Sequence, residues 1–205
     1  MTRYEVTTLT VALGATPKAF PLIREYVSAP SAKGRLLACW YSDIAELNRI
    51  MVIRGFANDA ELFAERERVL LQGNPFGIED LLLDMSISTY SPFPFLPPIE
   101  PGELGPFYEV RVYGIKPSGL APTIEAWRHA VGARTQISPL TVAMYALDGT
   151  TPRFMNIWPY QSLDQRQQAR AAAVAEGIWP PKGGPQHLTT LHSSFYLPAD
   201  FSPLR

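Results

Sequence analysis

Residues 4–11 read Tyr-Glu-Val-Thr-Thr-Leu-Thr-Val, and residues 108–115 read Tyr-Glu-Val-Arg-Val-Tyr-Gly-Ile. The shared triplet opens a repeat with an offset of 104 residues. Without a gap, Arg24, Val27 and Ala29 return as Arg128, Val131 and Ala133, and Leu36 and Tyr41 as Leu140 and Tyr145. Arg49, Met51 and Ile53 return as Arg153, Met155 and Ile157, and Arg66 and Gly73 as Arg170 and Gly177. That makes 13 identities over residues 4–73, against about four or five expected from composition, so the chain carries an internal duplication. After a two-residue slip the ends also correspond, with Tyr90, Pro92, Phe95 and Pro97 against Tyr196, Pro198, Phe201 and Pro203.

Each copy reads strand, helix, strand, strand, helix, strand. Asn58 with Glu61, and Ser162 with Gln165, place a cap acceptor three residues before an acid or amide, a capping box at the same offset in both copies. The helices that follow, over 59–72 and 163–176, run into Gly73 and Gly177, where a left-handed residue ends a helix. Leu120, Ile124, Trp127 and Val131 recur at helical spacing, whereas Pro17 and Pro21 predict an irregular or late first helix in the first copy. Strands are expected over 3–11, 35–42, 48–56 and 82–90, and again over 107–115, 139–146, 152–160 and 187–196. The domain reading is a first unit over 1–90, a stiff Pro-rich linker over 91–106 and a second unit over 107–205.

A βαββαβ unit carries two helices on one face of a four-stranded antiparallel sheet and leaves the other face bare. Two ferredoxin-like units in one chain can cover both bare faces at once. The expected fold is therefore α+β, a pseudo-symmetric barrel with an internal ligand cavity.

The second copy resembles the NIPSNAP family of the dimeric α+β barrel superfamily. The residues that carry the likeness are Phe107 to Tyr113, then Trp127-Arg128, then Ile157-Trp158-Pro159-Tyr160-Gln161-Ser162-Leu163-Asp164-Gln165-Arg166. The first copy is similar more weakly, through Leu47-Asn48-Arg49 and Ile53-Arg54-Gly55-Phe56. The family pattern often has a His two residues before the Trp; this chain has Asn156 there and Val52 in the other copy. The resemblance implies the barrel fold. It also implies a superfamily of cofactor-independent monooxygenases, haem-binding enzymes and isomerases, with eukaryotic members linked to mitochondria and protein interactions.

Composition excludes several function classes. Eighteen basic against nineteen acidic residues, a net charge of −1, provide no basic footprint for nucleic acid and no polybasic anchor for lipid. No apolar run approaches the about 18 residues of a membrane span, and MTRYEVTTLT has no apolar core of a secretory signal. The lone Cys39 permits no internal disulfide, which fits a cytoplasmic setting. No metal and no cofactor is called for by any motif: zinc spacings, GxSxG, GxGxxG and Walker patterns are absent. Gly183-Gly184 lie in a turn-rich loop.

Alternation along the first strand of copy two separates Tyr108, Val110 and Val112 from Glu109, Arg111 and Tyr113. The apolar set is expected to meet the helices, which sends Glu109, Arg111 and Tyr113 into the cavity, joined by Asn156 and Trp158. The matching first-copy face carries Glu5, Thr7, Leu9, Val52 and Arg54. In the enzyme reading, an oxygenase or isomerase without a cofactor, Glu109 or His192 handles protons. Arg111, Tyr113, Asn156, Trp158 and Arg54 then bind a small apolar or aromatic ligand. In the alternative reading, a non-catalytic binding or interaction module, the same charges pair with one another and hold the structure. His129 is expected on an exposed helix end, and His187 and His192 on opposite faces of the last strand. Exposed strand edges leave a homo-oligomer open.

Overall fold

A computed structural model describes residues 1–205. The first unit comprises β1 (Arg3–Val11), α1 (Thr16–Ser28), β2 (Arg35–Ile44), β3 (Arg49–Phe56), α2 (Asp59–Leu71) and β4 (Leu82–Pro92). The second comprises β5 (Phe107–Ile115), α3 (Leu120–Ile137), β6 (Val142–Ala146), β7 (Arg153–Tyr160), α4 (Leu163–Ala175) and β8 (Leu188–Pro198). The capping boxes form as read: Asn58 accepts from the Glu61 N–H at 2.9 Å and Ser162 from the Gln165 N–H at 3.1 Å. Gly73 and Gly177 stop the helices at φ of 73° and 66°. α1 starts promptly at Thr16. Pro17 occupies its first turn, where an N–H has no partner within the helix, and the helix continues through Pro21.

The eight strands form a closed ring in the order β1-β3-β2-β8-β5-β7-β6-β4. Each unit contributes four consecutive members, and the units meet at two equivalent antiparallel seams. In one, Trp40 faces Pro198 and Ser42 faces Tyr196. In the other, Tyr90 faces Ala146 and Pro92 faces Met144. β4 therefore runs past residue 90 into the segment expected to be linker, because those residues pair with the other unit. The seams are short: β4 pairs with β6 only through Tyr90, Ser91 and Pro92, and β8 with β2 only from Phe195 to Pro198, so the first halves of β4 and β8 keep one edge unpaired. No helix is long and apolar enough to cross a membrane.

Apolar residues sort into three clusters. One fills the barrel interior with Tyr4, Trp40, Ile53, Tyr108, Ile157 and neighbours from both units. The other two lie between the sheet and the helices, one per unit. The segment after β4 and the C-terminal segment together plug one end of the barrel. Ile99 and Leu204 are buried there, Tyr4 Oη accepts from the Ile99 N–H at 2.9 Å, and Trp40 Nε1 donates to the Leu204 carbonyl at 2.9 Å. The opposite end is open.

Candidate functional site

The structure reverses the expected sides of β5. Tyr108 and Val110 belong to the barrel interior and Val112 packs against the same cluster, while Glu109, Arg111 and Tyr113 lie beneath α3 and α4. The reason is counter-charge. A closed interior has no helix to supply a partner to a buried carboxylate, whereas the helix layer brings arginines over the outer face, and buried charges persist only when paired.

Both units follow this rule. Glu109 is fully buried and accepts from Arg166 Nη2 of α4 at 2.7 Å and from Ser193 Oγ of β8 at 2.7 Å, with Arg111 at 3.7 Å. Its other oxygen has no partner. The Arg166 guanidinium is held more firmly protonated by its hydrogen bond to Glu109. In the first unit, Glu5 is bound by Arg54 at 2.5 Å and by Arg66 at 3.1 Å. Arg54 also pairs with the buried Glu65, which Arg68 holds at 2.6 Å. Arg66 reaches across to Asp148 of the second unit at 3.1 Å. Arg54 is thus a structural cation walled in by Phe56 and Phe76, not a group facing a ligand cavity. Asn156 accepts from Trp158 Nε1 at 2.7 Å, and both are buried on the helix side; Arg134 stacks 4.4 Å from the Trp158 ring.

Arg111 and Tyr113, by contrast, line a pocket. It has a volume of about 270 Å³ and lies between the outer face of the second unit's sheet and α3, α4 and the segment before β8. Its walls are aromatic and aliphatic, with Trp127, Phe154, Trp179 and Leu188 around Tyr113. Trp127 and Trp179 meet edge to face at 4.8 Å. Arg111 and Arg170 are its two charged residues, and no carboxylate lines it.

The duplication provides an internal control. At the 104-residue offset, Arg111, Tyr113, Trp127, Phe154 and Pro180 correspond to Thr7, Leu9, Ile23, Ile50 and Phe76. In the first unit, Leu9, Ile23, Ile50 and the fully buried Phe76 pack as one apolar cluster. Arg66, the counterpart of Arg170, is consumed by Glu5, Asp148 and Thr89. One unit is packed shut where the other is hollow. Sequence reading named Arg111 and Tyr113 but missed Arg170, Trp127 and Trp179 as part of this site. The signal was the same-offset comparison, in which Trp179-Pro180 replaces Pro75-Phe76.

His192 stands apart from this pocket, exposed at the open end of the barrel. His129 pairs with Glu125 at 2.9 Å on the exposed face of α3. His187 sits in the turn before β8, not on the strand. Cys39 is fully buried, and burial raises its thiol well above the usual range.

A closed eight-stranded ring from two βαββαβ units, with helices outside and a hollow under the helices of one unit, defines a single-chain dimeric α+β barrel. Residues 108–203, the second of the two units, match the NIPSNAP family model. The whole chain is similar to several solved structures, of which two illustrate the likeness. One is a candidate monooxygenase from Lactobacillus acidophilus, at 11% identity and a TM-score of 0.66, covering 96% of this chain and 94% of that one. The other is an anthrone oxidase-like protein, at 13% identity and a TM-score of 0.63, covering 97% and 91%. A NIPSNAP family protein of unknown function from Agrobacterium tumefaciens aligns at 23% identity and a TM-score of 0.46, covering 52% of this chain and 100% of that one. No curated protein matches. At these identities the likeness speaks for the fold.

Proposed function

We propose that the chain is a small-molecule protein whose principal site is the helix-side pocket of its second unit. Its ligand is a small planar aromatic compound bearing an anionic oxygen. The observation that carries this reading is the asymmetry between the units: aromatic walls and two arginines around a hollow in one, aliphatic packing in the other. Flat rings stack or meet edge-on against Trp127, Trp179 and Phe154. Arg170, which pairs with no carboxylate, and Arg111, which lies 3.7 Å from the Glu109 carboxylate it shares with Arg166, favour a phenolate, enolate or carboxylate. The volume lies just below the range usual for drug-sized ligands, which suits a compound of about two fused rings.

Stabilising an enolate is the step shared by isomerases and by oxygenases that need no cofactor, so the reading extends to such an enzyme. The fold shared with the anthrone oxidase-like protein makes anthrone a reasonable first substrate to try. A second reading, a ligand carrier without turnover, draws on one observation: no Asp, Glu or His lines the pocket, and the Glu109 carboxylate is occupied by Arg166 and Ser193. A cytoplasmic setting is proposed on the single buried thiol of Cys39.

The test is titration of the protein with 1-naphthoate, 1-naphthylammonium and naphthalene, followed by tryptophan fluorescence, alongside oxygen uptake with anthrone. Preferential binding of naphthoate together with oxygen uptake supports the enzyme. Binding without uptake supports the carrier. Equal response to all three compounds overturns the site.

A further inference from the structure

The open end of the barrel is a second hollow, of about 410 Å³, independent of the pocket under the helices. Its deeper wall is apolar, formed by Val6, Met51, Val110 and Met155. Those four are two pseudo-equivalent pairs at the 104-residue offset. Its rim is polar and cationic. Arg49 and its repeat counterpart Arg153 both face it, with Ser86, Ser88, Ser194 and His192 between them.

The two guanidiniums are held in place by unequal means. Arg153 donates to the carbonyls of Asp148 at 2.7 Å and Thr150 at 2.5 Å, and to Ser88 Oγ at 2.9 Å. It is oriented, yet no carboxylate meets its charge; the Asp148 carboxylate is turned to Arg66 and the Thr89 N–H. Arg49 has one counter-ion, Glu46, on the exposed β2–β3 turn three residues away. That turn runs through Ala45 at φ 102° and Asn48 at φ 57°, and it places Glu46 at the mouth. The rim therefore holds one oriented cation, Arg153, and a second, Arg49, whose partner is the exposed Glu46, above an apolar well.

We propose that this end of the barrel is a second binding site, for an amphipathic carboxylate. Its apolar chain lies on Val6, Met51, Val110 and Met155, and its head group displaces Glu46 to bridge Arg49 and Arg153. A carboxylate fits a pair of guanidiniums through charge-assisted hydrogen bonds, and the chain supplies burial that a free inorganic anion lacks. Glu46 acts here as a competitor that the ligand must replace.

The test is calorimetric titration of the full chain with octanoate, octylammonium and octan-1-ol. Octanoate is expected to bind at one per chain, at least tenfold more tightly than either of the others. Arg49→Gln should weaken it about tenfold and Glu46→Gln should tighten it severalfold. Arg170→Ala, which alters only the helix-side pocket, should leave it unchanged. Each variant is first checked for a native circular dichroism spectrum and melting temperature. Equal affinity for octanoate and octylammonium overturns the proposal, as does indifference to Arg49→Gln. Loss of octanoate binding in Arg170→Ala overturns it too, by moving the ligand to the other pocket while leaving the proposed aromatic site intact.

Discussion

The indole of Trp40 and the phenol of Tyr108 stack with ring centroids 4.1 Å apart and planes 21° from parallel. Trp40 belongs to β2 of the first unit and Tyr108 to β5 of the second, so this contact joins the halves inside the barrel. Neither side chain is exposed. The stack has no second copy, since the counterpart of Trp40 is Met144.

Trp40→Ala removes the largest side chain of the interior cluster and leaves the Leu204 carbonyl with Ser202 Oγ as its one remaining donor. Loss of a buried aromatic costs about 3–5 kcal/mol. Urea denaturation should show that loss in one transition followed identically by fluorescence and circular dichroism, because both seams unzip together. Two separated transitions would show that the units unfold independently.

Glu65 supports a pH prediction. Burial alone would raise its carboxyl, but hydrogen bonds from Arg68, the Lys33 N–H and Arg54 outweigh burial and hold it below its ordinary value of 4.5. A carboxyl depressed in the folded state contributes stability that is complete above the unfolded value and fades as pH falls through the folded one. Glu65→Gln should therefore be destabilised at pH 7 by about 3–5 kcal/mol, since it leaves buried arginines unpaired. The gap to wild type should narrow as pH falls below 4.5. Melting temperatures of both proteins from pH 7 to 3 check this; a constant gap contradicts it.

Much of this architecture can be read from the sequence. The repeat offset, the two capping boxes and the glycines that end α2 and α4 are local signals, and they place most elements within a few residues. Which face of β5 is inward is not local. Tyr108, Val110 and Val112 look like residues for a helix to cover, and only ring closure makes the interior the drier side. Arg166 and Arg66, which make the outer face tolerable for Glu109 and Glu5, lie 57 and 61 residues away in sequence. Arg170 reads as an ordinary helix-surface cation until its counterpart Arg66 is seen to be fully engaged.

Glu109 and Arg170 should separate structure from binding. Glu109→Gln keeps the shape but strands Arg166, so it should lower stability by about 3–5 kcal/mol. Arg170→Ala should change stability by no more than about 0.5 kcal/mol while weakening 1-naphthoate about tenfold. Paired thermal melts and fluorescence titrations decide the matter, and a stable Glu109→Gln variant that no longer binds would return that carboxylate to the ligand.

Cys39 is expected to be inert in the native state. Its N–H donates to Ser202 Oγ at 3.0 Å, its side chain is fully buried, and burial disfavours the thiolate that would react. Ellman's reagent should find no thiol without denaturant and one with it; rapid native labelling would show that the C-terminal plug opens.

Phe76, closing the first unit where Pro180 leaves the second open, bears on how such a chain can evolve. In an assembly of two identical subunits every mutation is expressed twice, so a plug in one pocket is a plug in both. Joining the copies in one polypeptide removes that constraint. One half is released to drift toward pure scaffold while selection refines the other, and the gene gains a division of labour that a symmetric dimer is denied.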